Sequence, residues 1–128
     1  MNYYFSKALD LPFEETIVRV TDALKEEGFG VLTEIDVKAT LKKKLDVDFP
    51  NYRILGACNP PFAYQALQVE PHIGLMLPCN VVVRENENGQ TIVSTIDPVA
   101  SMLSVENESL GEIAAQVKAK LQKVIESV

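Results

Sequence analysis

The chain has 128 residues, the length of one ordinary domain, and we read 1–128 as a single domain. Hydrophobic residues make up 47% and charged residues 23%, enough to fill a core and keep a solvated surface, while Gly 6 and Pro 7 are too few for a linker or low-complexity tail. Lys+Arg 12 against Asp+Glu 18 leaves a net charge of −6, the opposite of a nucleic-acid binder's balance, so no nucleic acid is expected as partner.

Tyr3 to Leu9 is short and aromatic-rich and reads as a first strand. A helix is predicted from Pro12 to Glu27, with Phe13, Ile17, Val20 and Leu24 on one face and Gly28 as its stop. From Phe29 to Val37 the chain alternates. Phe29, Val31, Thr33, Ile35 and Val37 are expected on one side of a strand, with Gly30, Leu32, Glu34 and Asp36 on the other. Asp36 can cap a short helix from Val37 to Leu45, whose Lys42-Lys43-Lys44 run reads as a solvated face.

Tyr52 to Asn59 is a third strand, followed by a short helix from Pro60 to Val69. Cys79 to Glu85 and Gln90 to Ile96 flank Asn88-Gly89, a hairpin signal. Asp97-Pro98 opens a short helix through Leu103. The last helix carries an apolar stripe of Leu110, Ile113, Ala114, Val117, Leu121, Val124, Ile125 and Val128, with Ser109 and Glu112 as a capping box. The expected fold is α+β, a two-layer sandwich of one sheet of about five strands with two long amphipathic helices on one face.

No basic region followed by an apolar run opens the chain, so no secretory leader is expected. Apolar stretches such as Ile73 to Cys79 are far shorter than the ~20 residues of a membrane span, so no membrane partner is expected. The expectation is a cytoplasmic protein with both thiols reduced.

Two stretches carry candidate chemistry: Gly56-Ala57-Cys58-Asn59-Pro60-Pro61 and Leu77-Pro78-Cys79-Asn80-Val81. Each sets a Cys-Asn pair beside proline at a strand end. If the two strands are close, Cys58, Asn59, Cys79 and Asn80 meet at one edge of the sheet. Cys58 also precedes a helix N-terminus, where partial positive charge favours a thiolate. Against this, Pro60 and Pro61 lack the N–H groups that would hold an anion, and free cysteines are commonly buried as small hydrophobes. Asn59 has a plain alternative as a helix cap. Glu34 and Asp36, two apart on a strand and so ~7 Å apart on one side, can reach one cation or polar ligand; Arg53 or Lys38 can instead neutralise them.

The pairing of G-A-C-N-P-P-x-A with L-P-C-N-V-V-V, behind G-F-G-V-L-T-E-I-D-V, resembles the bacterial and archaeal family catalogued as domain of unknown function 302. The likeness runs from about Tyr3 to Val124. It implies a small α+β domain assembling as a homodimer, with no agreed activity, and marks Glu34, Asp36, Cys58, Asn59, Pro60, Cys79 and Asn80 as motif positions.

Three readings follow. The first is a domain that binds a small molecule or cofactor of unknown identity, its site lined by the two Cys-Asn motifs and Glu34, with Leu55, Leu67 and Met76 as apolar walls. The second is a homodimeric interaction domain with inert buried thiols. The third is a soft-metal binder using Cys58, His72 and Cys79, although the spacing of a closed zinc site is missing. Phosphate-loop, dinucleotide and nucleophile-elbow motifs are missing too, so no enzyme class is assigned.

Overall fold

Three side chains start helices by accepting backbone N–H groups that no helical carbonyl can reach. Asp36 accepts from Ala39, Asp97 from Val99 and Ala100, and Asn107 from Leu110. These caps fix helix starts in the computed structural model, which describes residues 2–128. The elements are β1 (Tyr4–Leu9), α1 (Phe13–Glu26), β2 (Gly30–Asp36), α2 (Val37–Leu45), β3 (Tyr52–Cys58), α3 (Pro60–Val69), β4 (Cys79–Glu85), β5 (Thr91–Ile96), α4 (Pro98–Ser101) and α5 (Glu108–Ser127). A 3-10 segment, Pro71–Met76, which periodicity does not reveal, lies between α3 and β4.

The strands form one antiparallel sheet in the order β1-β5-β4-β3-β2, so β4 is central and β1 and β2 are edges. Along β4 and β5 burial alternates residue by residue: Val81, Val83, Thr91, Val93 and Thr95 are buried, while Val82, Arg84, Ile92, Ser94 and Ile96 are half-buried. The buried side packs against α1 and α5. Phe13, Ile17, Val20 and Leu24 from α1 and the whole α5 stripe, Leu110 through Val128, join that core. The sheet's other side is the outer face. This is the α+β architecture read from the sequence.

Two local readings are corrected. The α5 cap is Asn107, not Ser109: Asn107 accepts from Leu110 N–H and donates to Val69 O at 2.9 Å, tying the helix start to α3. In β2 the register with β3 shifts between Val31 and Thr33, a bulge. One extra residue flips every later side chain to the other side. Phe29 is buried and Val31 packs on the core, but Ile35 is 49% exposed, and it is Glu34 and Asp36 that share the helix side with Leu55 and Arg53.

Gly56 is needed for close approach. A Cβ there would lie 2.1 Å from Thr33 Oγ1 and 2.7 Å from Pro78 Cγ, so no side chain fits between the bulged strand and the segment before β4.

Candidate functional site

Register pairs Ala57 with Cys79, bringing the two motifs side by side at one end of β3 and β4. Over this end lie α3, α4 and the first half of α5, enclosing a cavity of about 40 Å³. Its wall includes Cys58, Asn59 and Cys79 from the motifs, with Phe29, Phe62, Met102, Leu110, Ile113 and Val117 around them. Nearly every wall atom is apolar. Leu55, Leu67 and Met76, expected as walls, serve elsewhere: Leu55 is fully buried in the core, and Leu67 and Met76 are exposed. Phe62, Met102 and the α5 residues take their place. The α5 stripe was visible as core; its role as a cavity wall depends on how α3 packs across it.

Cys79 is buried and Cys58 half-buried, and both are free thiols. Burial, with a smaller contribution from Cys58, pushes the Cys79 thiol up to about 11. At neutral pH Cys79 is therefore a protonated, polarisable wall atom and a poor nucleophile. Asn59 occupies the position before α3 but does not cap it. Its Nδ2 donates instead to Glu27 O at 3.1 Å, pinning the α1–β2 turn. Gly28 in that turn has φ +86°, and a Cβ on it would come 3.2 Å from Asn59 Nδ2. Both the backbone conformation and the crowding call for glycine there.

The four motif residues do not all converge. Asn80 follows Cys79 on a regular strand, so its exposed side chain belongs to the outer face. Glu34 and Asp36 lie elsewhere too. They meet Arg53, whose guanidinium is 3.0 Å from Glu34, 2.9 Å from Glu14 and 3.8 Å from Asp36, and 5.4 Å from the Phe13 ring centre. Burial pulls the Arg53 pKa down, but hydrogen bonds and charge from Glu14 and Glu34 raise it overall, so the group stays a fixed cation. Arg53 and Ala57 are four positions apart on β3, about 13 Å at strand rise, which separates this ion cluster from the cavity.

The single histidine, His72, is 89% exposed with Nδ1 at 4.0 Å from Glu70. Among the described residues, no three His, Cys, Asp or Glu side chains come together to hold a metal ion. Lys42 in the basic run pairs with Asp46 at 2.9 Å and Asp48 at 3.5 Å in exposed positions. Among the described residues, no helix is long and apolar enough to cross a membrane.

Comparison with known proteins adds to this geometry. A search of functionally curated proteins finds no match. The fold is similar to the crystal structure of an uncharacterized conserved DUF302 protein from Bacillus stearothermophilus, with a TM-score of 0.90 and 32% sequence identity over 98% of this chain and 97% of that one. The family model described as "Domain of unknown function DUF302" matches residues 5–128. With nearly its whole length matched, the chain belongs to the DUF302 family.

Proposed function

We propose that this domain binds a small apolar molecule in the cavity beside Cys58 and Cys79. The observation that carries the reading is that Cys58, Asn59 and Cys79, from two separate motifs, lie on the wall of one otherwise apolar cavity. At about 40 Å³ the cavity is well below the ~300 Å³ of drug-sized sites, so its occupant is small or enters as the walls part. Short elements, α3 and α4, form part of that wall. With Nδ2 committed to Glu27, Asn59 keeps its Oδ1 as an uncommitted acceptor.

Native labelling with iodoacetamide at neutral pH tests this. A thiol at about 11 is ionised to roughly one part in ten thousand at pH 7, so Cys79 is expected to react far more slowly than half-buried Cys58. Saturating the buffer with benzene, as an apolar probe, is expected to slow Cys58 labelling. If neither thiol reacts before denaturant is added, or benzene leaves the rate unchanged, the reading fails. We place the protein in the cytoplasm, the compartment that keeps such thiols reduced.

A second observation favours a homodimer. β2 is an edge strand, and Leu32, Ile35, Leu45, Val47 and Phe49, each at least 36% exposed, lie on it and on the segment that follows. Such a run of uncovered apolar side chains suits contact with a second copy. Light scattering at micromolar concentration is expected to return twice the chain mass, and Leu45→Glu to return the single mass. A monomer in the unmodified protein overturns this reading.

A further inference from the structure

We propose that the outer face of the sheet carries a separate site, with Arg84 at one end, for a small organic anion with an apolar body. Arg84 lies on the central strand, half-buried, with Tyr52 opposite it on β3 and Ile92 on β5. Among the described residues it makes no ion pair and no side-chain hydrogen bond. That is unexpected in a chain with net charge −6. Its neighbour Glu85 is engaged instead by Asn51.

From Arg84 toward Asn80 and β1 the outer face forms an open hollow of about 420 Å³, within the size range of small-molecule sites. No Asp or Glu lines it, although Arg84 also borders the adjacent hollow at the hairpin, where Glu85 and Glu87 lie. Its polar members are mostly donors or can donate. Asn80 brings an amide. Ser6 and Ser94 pair at 2.9 Å, so one hydroxyl proton joins the two oxygens and the other is free to point outward. Tyr4, Val82 and Ile96 supply apolar surface beside these groups. A guanidinium with a fork of unused N–H groups matches a carboxylate or phosphate head in two parallel bonds. The apolar surface then takes the body of the ligand. The site uses Asn80, the motif residue that the cavity does not, and it shares no lining residue with the cavity.

Titration of isotope-labelled protein with benzoate, phenyl phosphate and the neutral benzyl alcohol, followed by amide NMR, tests the assignment. Saturable shifts at Tyr52, Asn80, Val82 and Arg84 are expected with the anions, and the tighter of the two identifies the headgroup. Benzyl alcohol is expected to bind at least tenfold more weakly. Arg84→Gln should erase that difference, and Asn80→Asp, about 13 Å from Arg84 along β4 at strand rise, should weaken both anions by only about twofold. Cys58 labelling should not change when benzoate is bound, which keeps this site distinct from the thiol cavity. Equal binding of benzyl alcohol and benzoate overturns the proposal, as does undiminished anion binding by Arg84→Gln. So do shifts at these residues that depend only on protein concentration, because a second copy would then be the occupant.

Discussion

Arg53 and Arg84 lie on adjacent strands one register step apart, yet they have opposite surroundings. Arg53 is on the helix side, where Glu14, Glu34 and Asp36 surround its guanidinium and Phe13 lies beneath it. Arg84 is on the outer face with no partner at all among the described residues. Strand parity alone separates them: an arginine on the packed side is enclosed and neutralised, whereas one on the open side keeps its charge for something outside the fold. The first is architecture. The second is available for binding.

The contrast between the two sides can be sharpened by substitution. The largest effect belongs to the packed side: Leu121→Ala, at a fully buried position, is expected to lower unfolding free energy by about 2–5 kcal/mol, whereas Val82→Ala on the outer face should cost less than about 1 kcal/mol. Denaturant melts of both variants measure this, and equal losses would remove the distinction.

Cys79 gives the packed side a pH signature. Its folded value, about 11, lies above the ordinary 9.0, so the folded state holds the thiol proton more tightly than the unfolded chain. The stabilisation is complete below about pH 9 and disappears as pH rises through 11. The difference between those two values corresponds to about 2–3 kcal/mol. Melts from pH 8 to 11 should therefore fall more steeply for the native chain than for Cys79→Ala. Parallel curves would show that the thiol ionises freely.

Gly56→Ala probes the point where β2, β3 and the segment before β4 crowd together, and should cost about 1–3 kcal/mol by overpacking against Thr33 and Pro78. Arg53→Met leaves Glu14, Glu34 and Asp36 without their cation. Because those carboxylates are largely exposed, the expected loss is only about 1 kcal/mol. Arg84→Met should change stability by less than about 0.5 kcal/mol. A large loss at Arg84 would mean that the outer face, too, depends on its arginine for folding.

Much of this was legible in the sequence because it follows from period alone. Leu110 to Val128 keeps helical spacing without interruption, and all eight stripe residues are buried. Asp36 and Asp97 were readable as caps because a short acceptor precedes a helical run. The bulge was not readable: Phe29 to Val37 alternates equally well with or without it, and only pairing with β3 reveals the slip. Nor could the chain alone choose Asn107 over Ser109, since the choice rests on a distant carbonyl, Val69 O. The separation of Asn80 from Cys79 did carry a signal, because neighbours on a strand point to opposite sides. The cavity wall did not, because Phe62 and Met102 come together only through the packing of α3 and α4.

The bulge at Leu32 also governs what that edge of the sheet offers to another chain. A regular edge strand offers a continuous row of N–H and C=O groups on which another chain can build. In β2 the row changes phase partway along, so an incoming strand that matches Gly30 and Val31 is out of step from Thr33 onward. Continuous ladder growth through this edge is interrupted, while Ile35, Val47 and Phe49 keep their side chains uncovered beside it. The same residue that turns Glu34 and Asp36 toward Arg53 thus breaks the continuous ladder along the β2 edge.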